Sequence, residues 1–137
     1  MKVIDGTNMV YGRLSSLVAK ELLNGEEIVV VNSDKVAVTG RRGFTIQKFK
    51  ERLDIGSVRK GPYYPRTSNQ ILRRSIGDML PKKTTHGKEA LRRCKVYPGL
   101  PKEFSTASVV VLEKARNNKV SGFVTLGEIA KNIGGKY

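Results

Sequence analysis

The sequence predicts an α/β fold, with helices on both faces of a mainly parallel sheet. Two unbroken aliphatic runs, Ile28–Val31 and Val109–Leu112, indicate central strands, because strands with one wet face alternate apolar and polar residues. Segments with apolar residues at helical spacing lie between the two runs. Helices packed on both faces of one sheet would account for these segments and would bury both runs. The length of 137 residues predicts a single domain over 1–137.

The first third of the chain predicts strands and one helix. Lys2–Asp5 is a short apolar-leaning strand, and Asn24-Gly25 ends the helix that follows it. The apolar residues of this helix recur at helical spacing: Leu14, Leu17, Val18 and Leu22. Val36–Thr39 is a further strand, reached from Ile28–Val31 through Asn32-Ser33-Asp34. That connector is too short for a helical crossover, which leaves a mixed sheet open at this position.

The middle of the chain predicts three helices. The first covers about 44–53, and the second begins near Ser68 as N-cap and ends at Pro81. The second helix carries one apolar stripe: Ile71, Leu72, Ile76, Met79 and Leu80. A third short helix covers about 86–95, with Ala90, Leu91 and Cys94 directed inward.

The last part predicts one strand and one helix. After a turn region at Pro98–Pro101, the strand is the second aliphatic run. A helix from Thr125 to Asn132 follows, with Leu126, Ile129 and Ile133 directed inward. The final residues, Gly134 to Tyr137, are expected to form a loose tail.

The positive charge is concentrated in residues 58–102. The whole chain has 26 Lys and Arg against 12 Asp and Glu, a formal net charge of +14. Residues 58–102 hold 12 of the basic residues and two acids, Asp78 and Glu89, so they carry +10 of that charge. Solvated charged faces interleave both signs, and an excess of one sign repels itself until a counter-charge binds. Residues 58–102 therefore form a basic elaboration that suits a polyanion.

The basic side chains fall off the apolar stripes of the predicted helices. Arg73-Arg74 and Arg92-Arg93 are expected to face outward as phosphate clamps, because guanidinium forks match phosphate geometry. Tyr63 or Tyr64 would stack on a base or contact a sugar. The remaining candidates for nucleic-acid contact in this region are Arg59, Lys60, Arg66, Lys82, Lys83, His86, Lys88 and Lys95.

Two glycine-containing turns suggest phosphate binding with different strength. Gly6 to Gly12 lacks the four-residue spacing and the following Lys of a Walker A loop, which favours a plain strand-to-helix turn. Gly40-Arg41-Arg42-Gly43 matches the GxxG spacing of KH modules, but that loop joins two helices and this one follows a strand. Arg41 and Arg42 remain candidate phosphate contacts, with a solvated turn as the alternative.

The titratable residues do not predict catalysis or a metal site. Cys94 is the lone cysteine and His86 the lone histidine, which excludes an intrachain disulfide and the usual zinc ligand sets. The two residues lie two turns apart on one predicted helix, too far for a nucleophilic pair, and Cys94 fits a small core residue. The sequence therefore predicts no enzyme, no cofactor and no small-molecule substrate.

The compartment follows from the N-terminus and the aliphatic runs. Asp5 lies where a signal peptide needs its apolar stretch, and the longest aliphatic runs are far shorter than the ~20 residues of a membrane span. The predicted helices also lack a free Trp/Phe-rich face for a membrane surface. We therefore expect a soluble intracellular protein with no membrane partner.

Several stretches closely resemble the thirteenth large-subunit ribosomal protein family. In the first third these are Val3-Ile4-Asp5-Gly6, Gly12-Arg13-Leu14, Leu22 to Glu26 and Val29 to Asn32. In the basic region they are Gly61-Pro62-Tyr63, Met79 to Thr84 with Gly87, and Lys95-Val96-Tyr97. The phrasing resembles the archaeal and eukaryotic branch, although Tyr64-Pro65-Arg66 departs from its usual pattern.

The resemblance implies a three-layer α/β/α sandwich around a roughly four-stranded, mainly parallel sheet. It also implies a structural protein of the cytoplasmic large ribosomal subunit, with no catalytic role. It implies large-subunit ribosomal RNA and neighbouring ribosomal proteins as partners. Two other classes stay open on the residues alone. An RNA-modifying or nucleotide-using enzyme would need a cofactor crevice at the strand ends, and a DNA-packaging protein would bind duplex DNA as tightly as ribosomal RNA.

Overall fold

The computed structural model describes residues 1–135, so Lys136 and Tyr137 of the expected tail lie outside the described residues. Its strands are β1 (Lys2–Asp5), β2 (Ile28–Val31), β3 (Ala37–Thr39), β4 (Cys94–Val96), β5 (Val109–Val110) and β6 (Phe123–Thr125). Its α-helices are α1 (Tyr11–Leu23), α2 (Arg42–Asp54), α3 (Ser68–Asp78), α4 (Thr85–Arg92) and α5 (Leu126–Asn132). Within residues 1–135, no helix has both the length and the apolar character that crossing a bilayer demands.

The main sheet confirms the predicted α/β class. Four strands lie in the order β4-β2-β1-β5, and each neighbouring pair is parallel. Val3 in β1 pairs with Val29 on one side and with Val109 on the other. The strand of uncertain direction, β3, lies outside this sheet and pairs antiparallel with β6, with Ala37 opposite Thr125.

One face of the main sheet packs against the helices. Ile4 and Val30 point to this face and are fully buried among Leu14 of α1 and Leu72 and Ile76 of α3. The helical spacing of the α1 residues explains this packing, because residues three and four apart share one face. β2 lies between two strands and all four of its residues are buried, as its unbroken aliphatic run predicts.

The other face of the sheet is covered by a different kind of layer. Val3, Val29 and Val31 form a second apolar cluster, against which Tyr97 and Phe104 pack. The covering segment includes a short 3-10 turn, Lys102–Phe104, where the sequence predicts a helix-covered face. The sheet therefore lies between two layers, consistent with a three-layer sandwich, but an irregular segment forms much of the second layer.

The prediction that Val109–Leu112 is a central strand is wrong. β5 has two residues at the sheet edge, and Val109 and Val111 are 38% and 40% exposed. An aliphatic run is buried on both faces when its strand lies in the middle of a covered sheet. β5 is instead an edge strand, with β1 as its neighbour on one side. The run alone could not show which side of the sheet is left open.

The helix predicted over 86–95 ends earlier than expected. α4 stops at Arg92, and Cys94 begins β4, whose pattern of buried, exposed and buried residues follows the two-residue period of a strand. Cys94 pairs in register with Ile28 of β2. Pairing with β2 therefore fixes the conformation of a segment too short to show a period in the sequence.

α3 also differs at both ends from its prediction. Thr67 is its N-cap, and Ser68 is a buried first residue whose hydroxyl donates a hydrogen bond to the carboxylate of Asp34. Met79, expected to face inward, is 44% exposed, because the helix ends one residue before it.

Candidate nucleic-acid interface

An open groove between α3 and α4 brings together part of the predicted cationic surface. We call it the α3–α4 groove and define it by its lining residues: Tyr63, Pro65, Gln70, Arg73, Arg74, Gly77, Lys82 and Leu91. Four of the predicted contacts, one tyrosine and three cations, thus meet in one concave surface. The opposite face of α3 lies fully buried in the core, with Ile71, Leu72 and Ile76 at 0% exposure.

Arg74 is exposed at the groove but held in a fixed position. Its Nη1 donates a hydrogen bond of 3.2 Å to the backbone oxygen of Tyr63. Its guanidinium carbon lies 5.2 Å from the ring centroid of Tyr64, within cation–π distance. A side chain fixed in this way loses less conformational entropy when it binds an anion.

The two neighbouring tyrosines have different environments. The Tyr64 ring is half-buried between the guanidinium groups of Arg52 and Arg74, and its hydroxyl accepts a hydrogen bond of 3.0 Å from Arg52. The ring also packs 6.2 Å from that of Phe49. Tyr63 is 66% exposed, and its hydroxyl donates to the backbone oxygen of Val58 at 2.8 Å. Tyr63 therefore has the ring that can stack on a ligand, whereas Tyr64 orders the cations.

Arg73 and Arg93 bind backbone carbonyl groups of the protein itself. Arg73 donates to the oxygens of Leu91 and Cys94 at 3.2 and 3.4 Å. Arg93 donates to the oxygen of Leu22 at 2.7 Å, and its Nε is buried. The expectation that Arg93 faces outward is therefore wrong, and Arg73 bridges α3 to the end of α4 as well as lining the groove. Leu22 and Leu91 lie in the last turns of α1 and α4, where carbonyl groups attract cations, whereas Cys94 begins β4.

The start of α4 presents further cations to solvent. Lys82 forms an ion pair with Asp78 one turn earlier. Thr84 caps α4 by accepting a hydrogen bond of 3.2 Å from the backbone of Gly87. The exposed candidates near and along this helix are Lys83, His86, Lys88 and Arg92.

The loop before the groove forms a tight turn. Ser57 and Gly61 exchange two backbone hydrogen bonds of 3.0 Å, and Val58 at the tip is 94% exposed. Arg59 and Lys60 are exposed in the same turn, and Arg66 is exposed on the segment that leads to α3.

Three predicted contacts lie away from the α3–α4 groove. Lys95 is exposed on β4, opposite in register to Val29, and so points to the second face of the sheet. Arg41 is the exposed N-cap of α2. Arg42 begins that helix and forms an ion pair of 2.5 Å with Glu128 of α5.

Cys94 has the environment of a core residue, as the sequence predicts. Its thiol is buried, and this burial raises its pKa to about 11, although the charge of Arg73 acts in the opposite direction. His86, by contrast, is exposed on α4. A raised pKa keeps the thiol protonated and unreactive near neutral pH.

Several residues that shape the surface were not predicted from the sequence. Arg52 orders Tyr64, and its position three residues after Phe49 on α2 was an available signal. Arg13, Arg116 and Lys119 line a second groove, with Thr39 among its other lining residues. The sequence gives no sign of this cluster, because acidic residues balance most of the basic residues outside 58–102 and the net charge there is low.

Comparison with known proteins identifies the family. The model of the family "Ribosomal protein L13" matches residues 1–103. The chain is 62% identical over 135 residues to a protein of Thermoplasma volcanium, covering 98% of this chain and 99% of that protein. It is 58% identical over 137 residues to a protein of Picrophilus torridus (100% and 99% covered) and 43% identical over 135 residues to one of Archaeoglobus fulgidus (96% and 86% covered). All three carry the name "Large ribosomal subunit protein uL13". Because the family model matches residues 1–103 and these relatives cover at least 96% of the chain, the chain belongs to the ribosomal protein L13 family.

Proposed function

We propose that this chain is a structural constituent of the large ribosomal subunit and binds large-subunit ribosomal RNA through a cationic surface centred on the α3–α4 groove. Its role is then in subunit assembly and translation, in the cytoplasm, without catalysis. Its partners are this RNA and neighbouring ribosomal proteins. Membership of a family of large-subunit proteins supports the assignment. We further propose that residues 1–137 act as one domain, with 58–102 as its RNA-binding elaboration.

The observation that carries the proposal is the exposure of unbalanced cations around the groove. Arg74, Lys83 and Arg92 are exposed, whereas the acids of residues 58–102 are Asp78 and Glu89. Asp78 already pairs with Lys82, so its charge is compensated. Closely spaced phosphates of a folded RNA would neutralise the remaining cations, and release of condensed counterions would favour binding.

The strand ends do not support a nucleotide-using enzyme. A Cβ added at Gly6 would lie 3.1 Å from the backbone oxygen of Val31 and 2.9 Å from a methyl group of Val36. The segment that follows Gly6 is joined to the segment that follows β5, because Met9 forms an antiparallel bridge with Arg116. Cofactors in open α/β sheets bind at the carboxyl ends of strands, and the chain itself occupies that space here.

The proposal predicts a lower salt dependence for the double variant Arg74→Ala/Lys83→Ala. The slope of log affinity against log salt should fall by roughly 1.4 to 1.8 in magnitude, because each lost phosphate contact removes about 0.7 to 0.9. We expect an affinity loss of about tenfold at the lower salt concentrations. Filter binding of a transcribed large-subunit RNA between about 50 and 200 mM salt measures both quantities.

A matched control removes the same charge elsewhere. Lys20→Ala/Lys131→Ala takes two exposed lysines from α1 and α5, both outside residues 58–102, whereas Arg74 and Lys83 lie within them. This control should retain the wild-type slope. Equal slopes for both double variants would contradict the proposed surface, and equal affinity for duplex DNA in competition would favour a DNA-packaging protein.

A separate prediction concerns the exposed aromatic ring. Tyr63→Leu should weaken RNA binding by roughly fivefold without changing the salt slope, because stacking on a base contributes about 1 kcal/mol or more and releases no counterion. The same binding titrations detect it. Tyr64→Leu serves for comparison and should instead lower the melting temperature, since Tyr64 packs against Phe49. A changed slope for Tyr63→Leu would contradict a stacking role, and it would show that the substitution disturbs Arg74, which binds the backbone oxygen of Tyr63.

A further inference from the structure

We propose that a second surface, at the edge of the sheet next to β5, binds the phosphate backbone of a second segment of the same ribosomal RNA. The protein would then hold two RNA segments together rather than coat one. The inference rests on the proposed function, and it adds a binding site built from residues outside the basic region 58–102. We call this surface the β5-edge groove and define it by its lining residues: Val10, Arg13, Thr39, Arg116, Asn117, Asn118 and Lys119.

The lining of the β5-edge groove suits phosphate oxygens. Its seven residues include three cations, the exposed amide of Asn118 and no carboxylate. The amide of Asn117 is buried and donates to Asn8 at 3.4 Å, so it shapes the groove rather than binding a ligand. Arg13, Arg116 and Lys119 are all exposed. Arginine, lysine and asparagine side chains donate hydrogen bonds to phosphate and sugar oxygens in nucleic-acid complexes, independently of base sequence.

Backbone hydrogen bonds hold the walls of this groove in place. The N–H of Val10 donates to the oxygen of Ala115 at 2.7 Å, and the N–H of Asn117 donates to the oxygen of Asn8 at 3.0 Å. Asn117 is 6% exposed, and its side-chain oxygen accepts from the N–H of Lys119 at 3.0 Å. Two loops that are more than 100 residues apart in sequence thus form one rigid wall, and the cations need little ordering on binding.

One carboxylate beside the groove pairs with one of its three cations. Glu113 lies 3.3 Å from Arg116, and both side chains are more than half exposed. Among the described residues, Arg13 and Lys119 are in no ion pair. Arg13 lies in the first turn of α1, where there is no acidic residue. A cation is disfavoured at that end of a helix, and a bound anion would relieve the repulsion.

The basic turn found in the sequence lies beside the same groove. The N–H of Gly40 donates to the oxygen of Gly122 at 2.8 Å, which ties this turn to the loop that follows Lys119. Glu128 is engaged by Arg42, so the exposed Arg41 adds its charge to this side of the molecule. Arg41 lines neither groove, but it lies two residues after Thr39, a lining residue of the β5-edge groove.

The two grooves are built from different parts of the chain. The α3–α4 groove is lined by residues of α3, of α4 and of the segments next to them, whereas the β5-edge groove is lined by the start of α1, by Thr39 of β3 and by the segment that follows β5. The two grooves share no lining residue, so each cluster of cations can contact its own phosphates.

Directed cleavage of the RNA tests this arrangement. A cysteine is introduced as Asn118→Cys in the β5-edge groove, or as Thr85→Cys at the start of α4, and each is labelled with an iron–EDTA maleimide. The native Cys94 stays unlabelled because it is buried and its pKa is raised to about 11. Each labelled full-length protein is bound to transcribed large-subunit RNA, and hydroxyl-radical cleavage is mapped by primer extension.

The expected result is two cleavage sets in RNA segments that are separate in sequence, one set for each labelled position. Cleavage from Asn118→Cys confined to the segment cut from Thr85→Cys, or absent while Thr85→Cys cleaves, would overturn the inference. Absence of cleavage from both positions would count against the proposed function as a whole, and the inference would fall with it.

Charge variants separate binding from mere proximity. Arg13→Ala/Lys119→Ala should lower the salt slope by roughly 1.4 to 1.8, as two phosphate contacts require. Lys20→Ala/Lys131→Ala is again the control of equal charge and should leave the slope unchanged. If Arg74→Ala/Lys83→Ala lowers the slope and Arg13→Ala/Lys119→Ala does not, the second site is disproved and the proposed function stands. If neither variant lowers the slope, the proposed function itself fails.

Discussion

Replacing Gly87 by alanine should lower the free energy of unfolding by about 3 kcal/mol, the largest effect that we expect from one methyl group in this chain. A Cβ at this position would lie 2.0 Å from the backbone oxygen of Pro81 and 2.6 Å from its carbonyl carbon. Because both contacts are with backbone atoms, no side-chain rotation can relieve them. α4 would have to move away from the preceding turn, and it carries Ala90, which is fully buried in the core.

Thermal unfolding followed by circular dichroism measures the effect. A loss of 3 kcal/mol should lower Tm by roughly 10 °C in a chain of this size. Gly43→Ala is the matched control, because Gly43 lies in helix α2 and a Cβ there meets no atom within 4 Å. The free energy of unfolding of this control should rise by up to about 1 kcal/mol, because alanine has fewer conformations than glycine in the unfolded chain. Similar melting curves for the two variants would show that α4 shifts freely and that the contact with Pro81 is not restrictive.

The interior of the fold could be predicted because its residues show a clear period. Leu14, Val18 and Leu22 recur at helical spacing in α1, and all three are fully buried in the structure. β2 was likewise predicted, since four consecutive aliphatic residues need cover on both faces. β4 and β5 have three and two residues, too few to show a period. Pairing with neighbouring strands defines them, and those neighbours are distant in sequence.

The candidate site could be predicted in composition but not in detail. The excess of cations over residues 58–102 located the α3–α4 groove, because charge density is a property of the sequence itself. Which arginines remain free depends on where helix ends meet in three dimensions. Arg73 and Arg74 are neighbours in sequence, yet Arg73 donates to carbonyls of the protein whereas Arg74 is exposed. The β5-edge groove had no sequence signal, since Arg13 and Arg116 are brought together only by the fold.

Arg92 and Arg93 should separate stability from RNA binding. Arg93→Met should lower the free energy of unfolding by about 2 kcal/mol and leave the salt slope of RNA binding unchanged. The guanidinium of Arg93 donates to the oxygen of Leu22 at 2.7 Å, and Leu22 lies in the last turn of α1. The Leu22 oxygen also accepts a hydrogen bond of 3.1 Å from the N–H of Gly25, so it keeps one partner in the variant. What is lost is a hydrogen bond from a charged donor, which contributes about 1.5 to 3 kcal/mol, together with a favourable cation at a helix C-terminus. Methionine retains much of the side-chain volume, so the change tests the hydrogen bond rather than a cavity.

Arg92→Met is the comparison, because Arg92 is the adjacent arginine and is exposed. Its free energy of unfolding should lie within about 0.5 kcal/mol of the wild-type value, as for other surface substitutions. The variant should reduce the salt slope of RNA binding by roughly 0.7 to 0.9. Urea unfolding and filter binding on the same preparations give both quantities. A reduced slope for Arg93→Met with unchanged stability would reverse the assignment. The guanidinium would then leave Leu22 when RNA binds, and the outward orientation predicted from the sequence would describe the bound state.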